Sequence, residues 1–122
     1  MKIYVGHSNS FDYQKELYDP IKKSNLIIEN DVFFPHDEKN KIIPTKDIIK
    51  NSDLFIAEVS YPATGLGIEL GFASDAKVEI LCIYKKGTRP SSSLKFITDI
   101  FICYENEKDL IDRITQYLKT KI

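Results

Sequence analysis

The stretch from Asp53 to Ala73, DLFIAEVSYPATGLGIELGFA, constrains the fold of this chain more than any other. Its first part, LFIAEV at 54–59, is apolar throughout except for Glu58. A strand with one wet face alternates apolar and polar residues. A strand apolar on both faces belongs in the middle of a parallel sheet, covered by helices. Pro62, Gly65 and Gly67 then mark a tight loop, and a helix begins near 64–67. Glu69 falls about one turn into that helix. The stretch reads as a strand-loop-helix junction carrying one carboxylate.

The rest of the chain repeats this rhythm. Short apolar or β-branched runs at Lys2–Gly6, Asp31–Pro35, Glu79–Tyr84 and Ile100–Tyr104 read as four further strands. Helical spacing separates them. Phe11, Leu17, Tyr18 and Ile21 form one stripe, which Pro20 is expected to kink or end. Pro44 suits the first turn of a helix over Thr45–Asn51, with Ile48 and Ile49 facing inward. Leu110, Ile111, Ile114, Tyr117 and Leu118 mark the last helix, with Asn106 as its N-cap. Strands alternating with helices imply a three-layer α/β fold of the flavodoxin or Rossmann-like kind, a five-stranded parallel sheet with helices on both faces. A length of 122 residues leaves room for one domain, 1–122. Ligands of such sheets bind beyond the carboxyl ends of the strands, where the strand order reverses. His7–Ser10, His36-Asp37, Ser60–Gly67 and Ser91–Ser93 all fall at strand ends of that kind.

A net charge of −1 gives no basic excess to draw a nucleic-acid backbone or an anionic membrane. No run approaches the roughly 20 apolar residues of a membrane span, nor the pattern of a signal peptide. A cytoplasmic location is the expectation. Cys82 and Cys103 lie in apolar runs without a CxxC partner, which suits two buried reduced thiols.

Among titratable residues, Glu69 stands out. Gly65 and Gly67 let a ligand approach the backbone closely, and nearby N–H groups favour an ionised carboxylate. Such a group can act as a nucleophile or shield an oxocarbenium-like centre, as glycosyl transfer requires. It can equally satisfy its own helix terminus. The TGLG loop is neither GxGxxG nor a Walker loop. A second carboxylate is wanted for acid/base work. Asp53 sits at the start of its strand and reads as structural. Glu58 lies among apolar residues, so it either has a specific partner or stands at the carboxyl end of its strand facing the pocket. Asp47 reaches the pocket only if its helix packs over the strand ends. His7 and His36 lack metal-ligand spacing, so ligand hydrogen bonding or loop structure is expected and no metal. Tyr4, inside the first strand, is either core or a hydroxyl reaching the active end.

Together these residues resemble the signature of the nucleoside 2-deoxyribosyltransferase family, which includes the 2'-deoxynucleoside 5'-phosphate N-hydrolases. The matching positions are Asp53, Ala57, Glu58, Val59, Ser60, Pro62, Gly65, Gly67, Glu69, Leu70, Gly71 and Ala73. The resemblance implies cleavage of the N-glycosidic bond of a 2'-deoxynucleoside or its 5'-monophosphate, by transfer or hydrolysis, without a cofactor. It implies Glu69 as nucleophile. It implies a substrate pocket with Tyr4, Ser8, His36 and Ser93, the last brought across a homodimer interface, and the loops beside them add Gly6, His7, Ser60, Thr64, Gly65 and Gly67 to the expected pocket. The short stretch after the last helix suits the hydrolase end of the family. The pattern departs in three places. Where the family has an auxiliary aspartate, eight positions before Asp53, this chain has Thr45, and Asp47, the nearest acid, is expected as the second catalytic residue, assisting protonation or orienting the sugar. His7 replaces a glycine, and Ala63 replaces a phosphate-binding serine. These departures motivate the alternative of a catalytically silent nucleotide- or sugar-binding module.

Overall fold

The structure, a computed structural model, describes residues 1–121. Strand β1 (Lys2–His7) is followed by a π-helical turn (Gln14–Tyr18) that runs into α1 (Asp19–Lys22), then by α2 (Leu26–Glu29). Next come β2 (Asp31–Phe33), a 3-10 turn (Glu38–Asn40), α3 (Thr45–Lys50) and β3 (Leu54–Glu58). The chain continues through α4 (Thr64–Asp75), β4 (Glu79–Lys85), a second 3-10 turn (Ser92–Phe96), β5 (Phe101–Tyr104) and α5 (Glu107–Lys119). The strands form one parallel sheet in the order β2-β1-β3-β4-β5. That is the flavodoxin-like order, whose reversal lies between β1 and β3.

Side-chain alternation along the strands divides the core in two. Ile3, Val5, Leu54, Ile56, Leu81 and Ile83 face α1 and α5, meeting Leu17, Ile21, Leu110 and Ile114. Tyr4, Phe55, Ala57, Ile80 and Cys82 face α3 and α4, meeting Ile49, Leu66, Leu70 and Ala73. β3 is buried at every position, as its double-sided apolar run requires. Asp53 is structural, its carboxylate accepting from the Lys2 N–H at 2.7 Å at the amino ends of β1 and β3.

The elements follow the sequence with a few differences. Pro20 does not end its helix, which continues to Lys22. The residue before it closes a wide turn, Asp19 N–H to Gln14 O, and Pro20 then occupies the second position of α1, where a missing N–H costs nothing. α4 begins at Thr64, because Ala63 is extended and the Gly67 N–H closes the first turn on Ala63 O at 3.0 Å. β2 is only three residues long and lies at the sheet edge. Both cysteines are free thiols, but only Cys82 is buried, since Cys103 lies on the edge strand β5.

Candidate active site

A cleft of about 320 Å³ opens beyond the carboxyl ends of β1 and β3, at the reversal of strand order. The end of β1 gives it His7 and Asn9, the loop after β2 gives His36, and α3 gives Thr45. The start of α4 supplies Ala63, Gly65, Leu66, Ile68, Glu69 and Phe72.

Glu69 lies on the cleft wall in the second turn of α4. The helix dipole acts mainly within the first turn, so direct hydrogen bonds hold this carboxylate. Both fall on one oxygen. The Tyr4 hydroxyl donates to Oε2 from below, and the Thr45 hydroxyl donates to the same atom at 3.1 Å. Tyr4 is fully buried, its ring stacked on Phe33 with centroids 5.7 Å apart and tilted against Phe55 at 4.9 Å. Burial first, and the Glu69 carboxylate second, push the Tyr4 phenol far above its usual range, so it remains a donor. Tyr4 is therefore both core residue and support for Glu69, and the two readings of its position merge. Oε1 of Glu69 has no hydrogen-bond partner among the described residues.

The opposite wall is a histidine pair. His7 Nδ1 bonds Ser8 O at 2.8 Å and Nε2 meets the Tyr18 hydroxyl at 2.6 Å. A carbonyl only accepts, so Nδ1 carries the proton and Tyr18 donates to Nε2. The Tyr18 oxygen in turn accepts from the His36 N–H at 3.0 Å. Burial lowers the His7 pKa to about 4, the Ser8 carbonyl opposes this, and His36 adds to it. The His36 ring, centred 4.9 Å from that of His7, is half-buried at the cleft.

Several expected site residues stand elsewhere. Asp47 is exposed and lines a different cleft, with Lys2, Asp31 and Asn51 toward the amino ends of the strands. Thr45, Ile48 and Ile49 share the inward side of α3, and position i+2 from Thr45 points away from it. The residue that meets Glu69 is Thr45, which sequence reasoning flagged only as a missing acid. Ser60 is buried among structural partners. Its hydroxyl donates to Glu58 Oε2 at 3.0 Å and accepts from the Lys85 N–H at 2.8 Å. Glu58 has the specific partners its burial demands, accepting also from the Ser60 N–H at 2.7 Å and from the Tyr104 hydroxyl. It faces α5, on the other side of the sheet from Glu69.

Gly6 is a packing requirement, since a Cβ there would come within 2.5 Å of two Phe55 ring carbons. Ser8 is buried and turns its hydroxyl to the Ser10 N–H at 3.1 Å and the Ser10 hydroxyl at 2.8 Å. Thr64 is exposed at the first position of α4, beside the cleft residues Ala63 and Gly65. Gly67 and Ser93 line a neighbouring apolar cleft of about 310 Å³, on the other side of α4, with Val59, Leu70 and Ile97. Within one chain, Ser93 and Glu69 therefore do not share a pocket. Asn9, Phe72 and Tyr18 join the site without a sequence signal beyond their place in loops and helical stripes.

No protein-family model matches the chain. Among curated proteins it is similar to the 5-hydroxymethyl-dUMP N-hydrolase of Tetraodon nigroviridis, 32% identical over 74 residues, 57% of this chain and 52% of that protein. A candidate 2'-deoxynucleoside 5'-phosphate N-hydrolase of Nematostella vectensis is 33% identical over 72 residues, 55% of this chain and 49% of that one. Over that matched stretch the chain is similar to nucleotide N-hydrolases. It spans about half the length of the curated relatives it matches. The CMP N-glycosidase of Clostridium botulinum shares its fold over 94% of this chain and 99% of that one, with a TM-score of 0.68 at 22% identity. The doubly covered parallel sheet is thus common to this chain and a nucleotide-cleaving enzyme.

Proposed function

We propose that the chain hydrolyses the N-glycosidic bond of a nucleoside 5'-monophosphate, of the 2'-deoxy class named for its N-hydrolase relatives. One observation carries this reading: a carboxylate on the wall of the switch-point cleft, fixed through a single oxygen by two hydroxyls, with its other oxygen free. Such a carboxylate can attack C1' or shield the positive charge that develops there. The C1'–N bond breaks with its electron pair going to the base. Where Glu69 attacks, water then adds to C1' as the C1'–O bond to Glu69 breaks, which restores the carboxylate, and the proton that the water gives up ends on the departed base. A second base in place of that water would give transfer by the same route. His36, whose ring nitrogens have no hydrogen-bond partner among the described residues, is the side chain left to meet the departing base. The start of α4, with glycine at Gly65 and unbonded N–H groups before Gly67, is where a phosphate would sit. The reaction needs no metal or organic cofactor. In a homodimer, Ser93, which lines the cleft on the far side of α4 within its own chain, would complete a neighbour's pocket. A location in the cytoplasm fits the nucleotide substrate, and no described helix is long and apolar enough to cross a membrane.

The test is release of free base from the four common deoxynucleoside monophosphates, 5-hydroxymethyl-dUMP and CMP. Wild type should release base from at least one, and Glu69→Gln should lower the rate by at least about a hundredfold, as expected for loss of a nucleophile. Equal rates in the two would remove Glu69 from the mechanism. A second reading, a silent binding module, is favoured by the position of Asp47 outside the cleft, which leaves Glu69 without a carboxylate partner there. Thermal stabilisation by a monophosphate without any base release would establish it instead.

A further inference from the structure

Glu69 is held by neither a second acid nor a cation but by two hydroxyls, one from the strand beneath it and one from the helix that faces it. Thr45 opens α3, and α3 is anchored to the sheet by Ile49, fully buried, and by Ile48 beside it. The Thr45 hydroxyl lies 3.1 Å from Glu69 Oε2, and Tyr4 reaches the same oxygen from β1. Two donors on separate elements fix the carboxylate plane, which a lone glutamate would sample freely about its last torsion. They also leave Oε1 as the free oxygen. An aspartate at the same place would bring a like charge against Glu69, with a cost that a hydroxyl avoids.

We propose that Thr45 is a positioning residue for Glu69. With Tyr4 it clamps Oε2, so that Oε1 is the atom presented to C1'. Its side chain stands where the family resemblance places an acid, but it acts by donating a neutral hydrogen bond. The inference rests on the proposed hydrolysis at Glu69.

The measurement is steady-state base release from whichever monophosphate the wild type cleaves fastest, on wild type, Thr45→Val, Thr45→Ser and Glu69→Gln, with a melting temperature for each. Valine keeps the shape and removes the donor. It should lower kcat roughly tenfold, the loss of about one charge-assisted hydrogen bond in the transition state, with KM nearly unchanged. Serine restores the donor and should bring kcat back to within roughly threefold of wild type. A wild-type kcat in Thr45→Val overturns the proposal. So does a Thr45→Ser as slow as Thr45→Val, which would make the methyl group the important part. A rise in KM alone would make Thr45 a substrate contact, and that also overturns it. Failure of the underlying reading looks different: wild type and Glu69→Gln would release base at the same rate, or neither would release any.

Discussion

His7 illustrates how one buried side chain couples the site to stability. Its ring is nearly inaccessible, stacked on Tyr13 with centroids 4.4 Å apart and bonded at both nitrogens. Protonation would put a second proton on Nε2, where the Tyr18 hydroxyl now donates, on a ring that is almost wholly buried. Its pKa therefore falls from 6.5 to about 4. The unfolded chain binds the proton more readily than the folded one throughout that window. Stability from this group is fully present above pH 6.5 and is lost as pH falls toward 4. The full effect is about 3 kcal/mol. Urea unfolding at pH 7.5 and pH 4.5 should show the loss, and His7→Gln should flatten the profile over that interval. An unchanged slope in the variant would assign the acid sensitivity to other groups.

At the scale of elements, the clearest piece is α5. Its N-cap, Asn106, accepts from the Asp109 N–H at 2.8 Å, and Asp109 reaches back to the Glu105 N–H at 2.9 Å and forward to Arg113 at 3.0 Å. Asn106→Ala should cost about 1 kcal/mol in denaturant unfolding without changing base release, because α5 lies on the sheet face away from Glu69. This helix was legible in the sequence because its cap, its apolar stripe and its charges all agree. So was β3, whose double-sided apolar run has one structural solution. The site was legible to the same depth only where chemistry coincides with a strand end: Glu69, His7 and His36 reach one cleft as the alternation of strands and helices implies. What sequence could not give was rotation about a helix axis. Thr45 and Asp47 differ by two positions, and only the packing of Ile48 and Ile49 decides which of them meets Glu69. Nor could spacing show that Ser60 and Gly6 serve packing, since both lie beside site residues in the chain and are turned into the interior by the register of the sheet.

Across the whole molecule, the two sheet faces have different tasks. The α3 and α4 face carries Tyr4 up to Glu69 and the cleft. The α1 and α5 face carries a second carboxylate, Glu58, fully buried at the same ends of the strands. Glu58 accepts from Tyr104 on β5 and from Ser60, whose oxygen also takes the Lys85 N–H on β4. It therefore ties together β3, β4 and β5 where their ladder ends. Burial first, then the Glu58 charge, hold the Tyr104 phenol far above its usual range, so it stays a donor. Tyr104→Phe removes one donor from a carboxylate that water cannot reach, and the expected loss is about 2 kcal/mol of unfolding free energy. Because the sheet separates Glu58 from Glu69, base release per folded molecule should stay within roughly twofold of wild type, as for distant sites whose effects add. Ser60→Ala should behave in the same way, and the double variant should fall short of the sum of the two, since both act on one carboxylate. If Tyr104→Phe instead abolished base release in a protein that still melts cooperatively, the two faces would be coupled through β3, and Glu58 would belong to the site rather than to the scaffold.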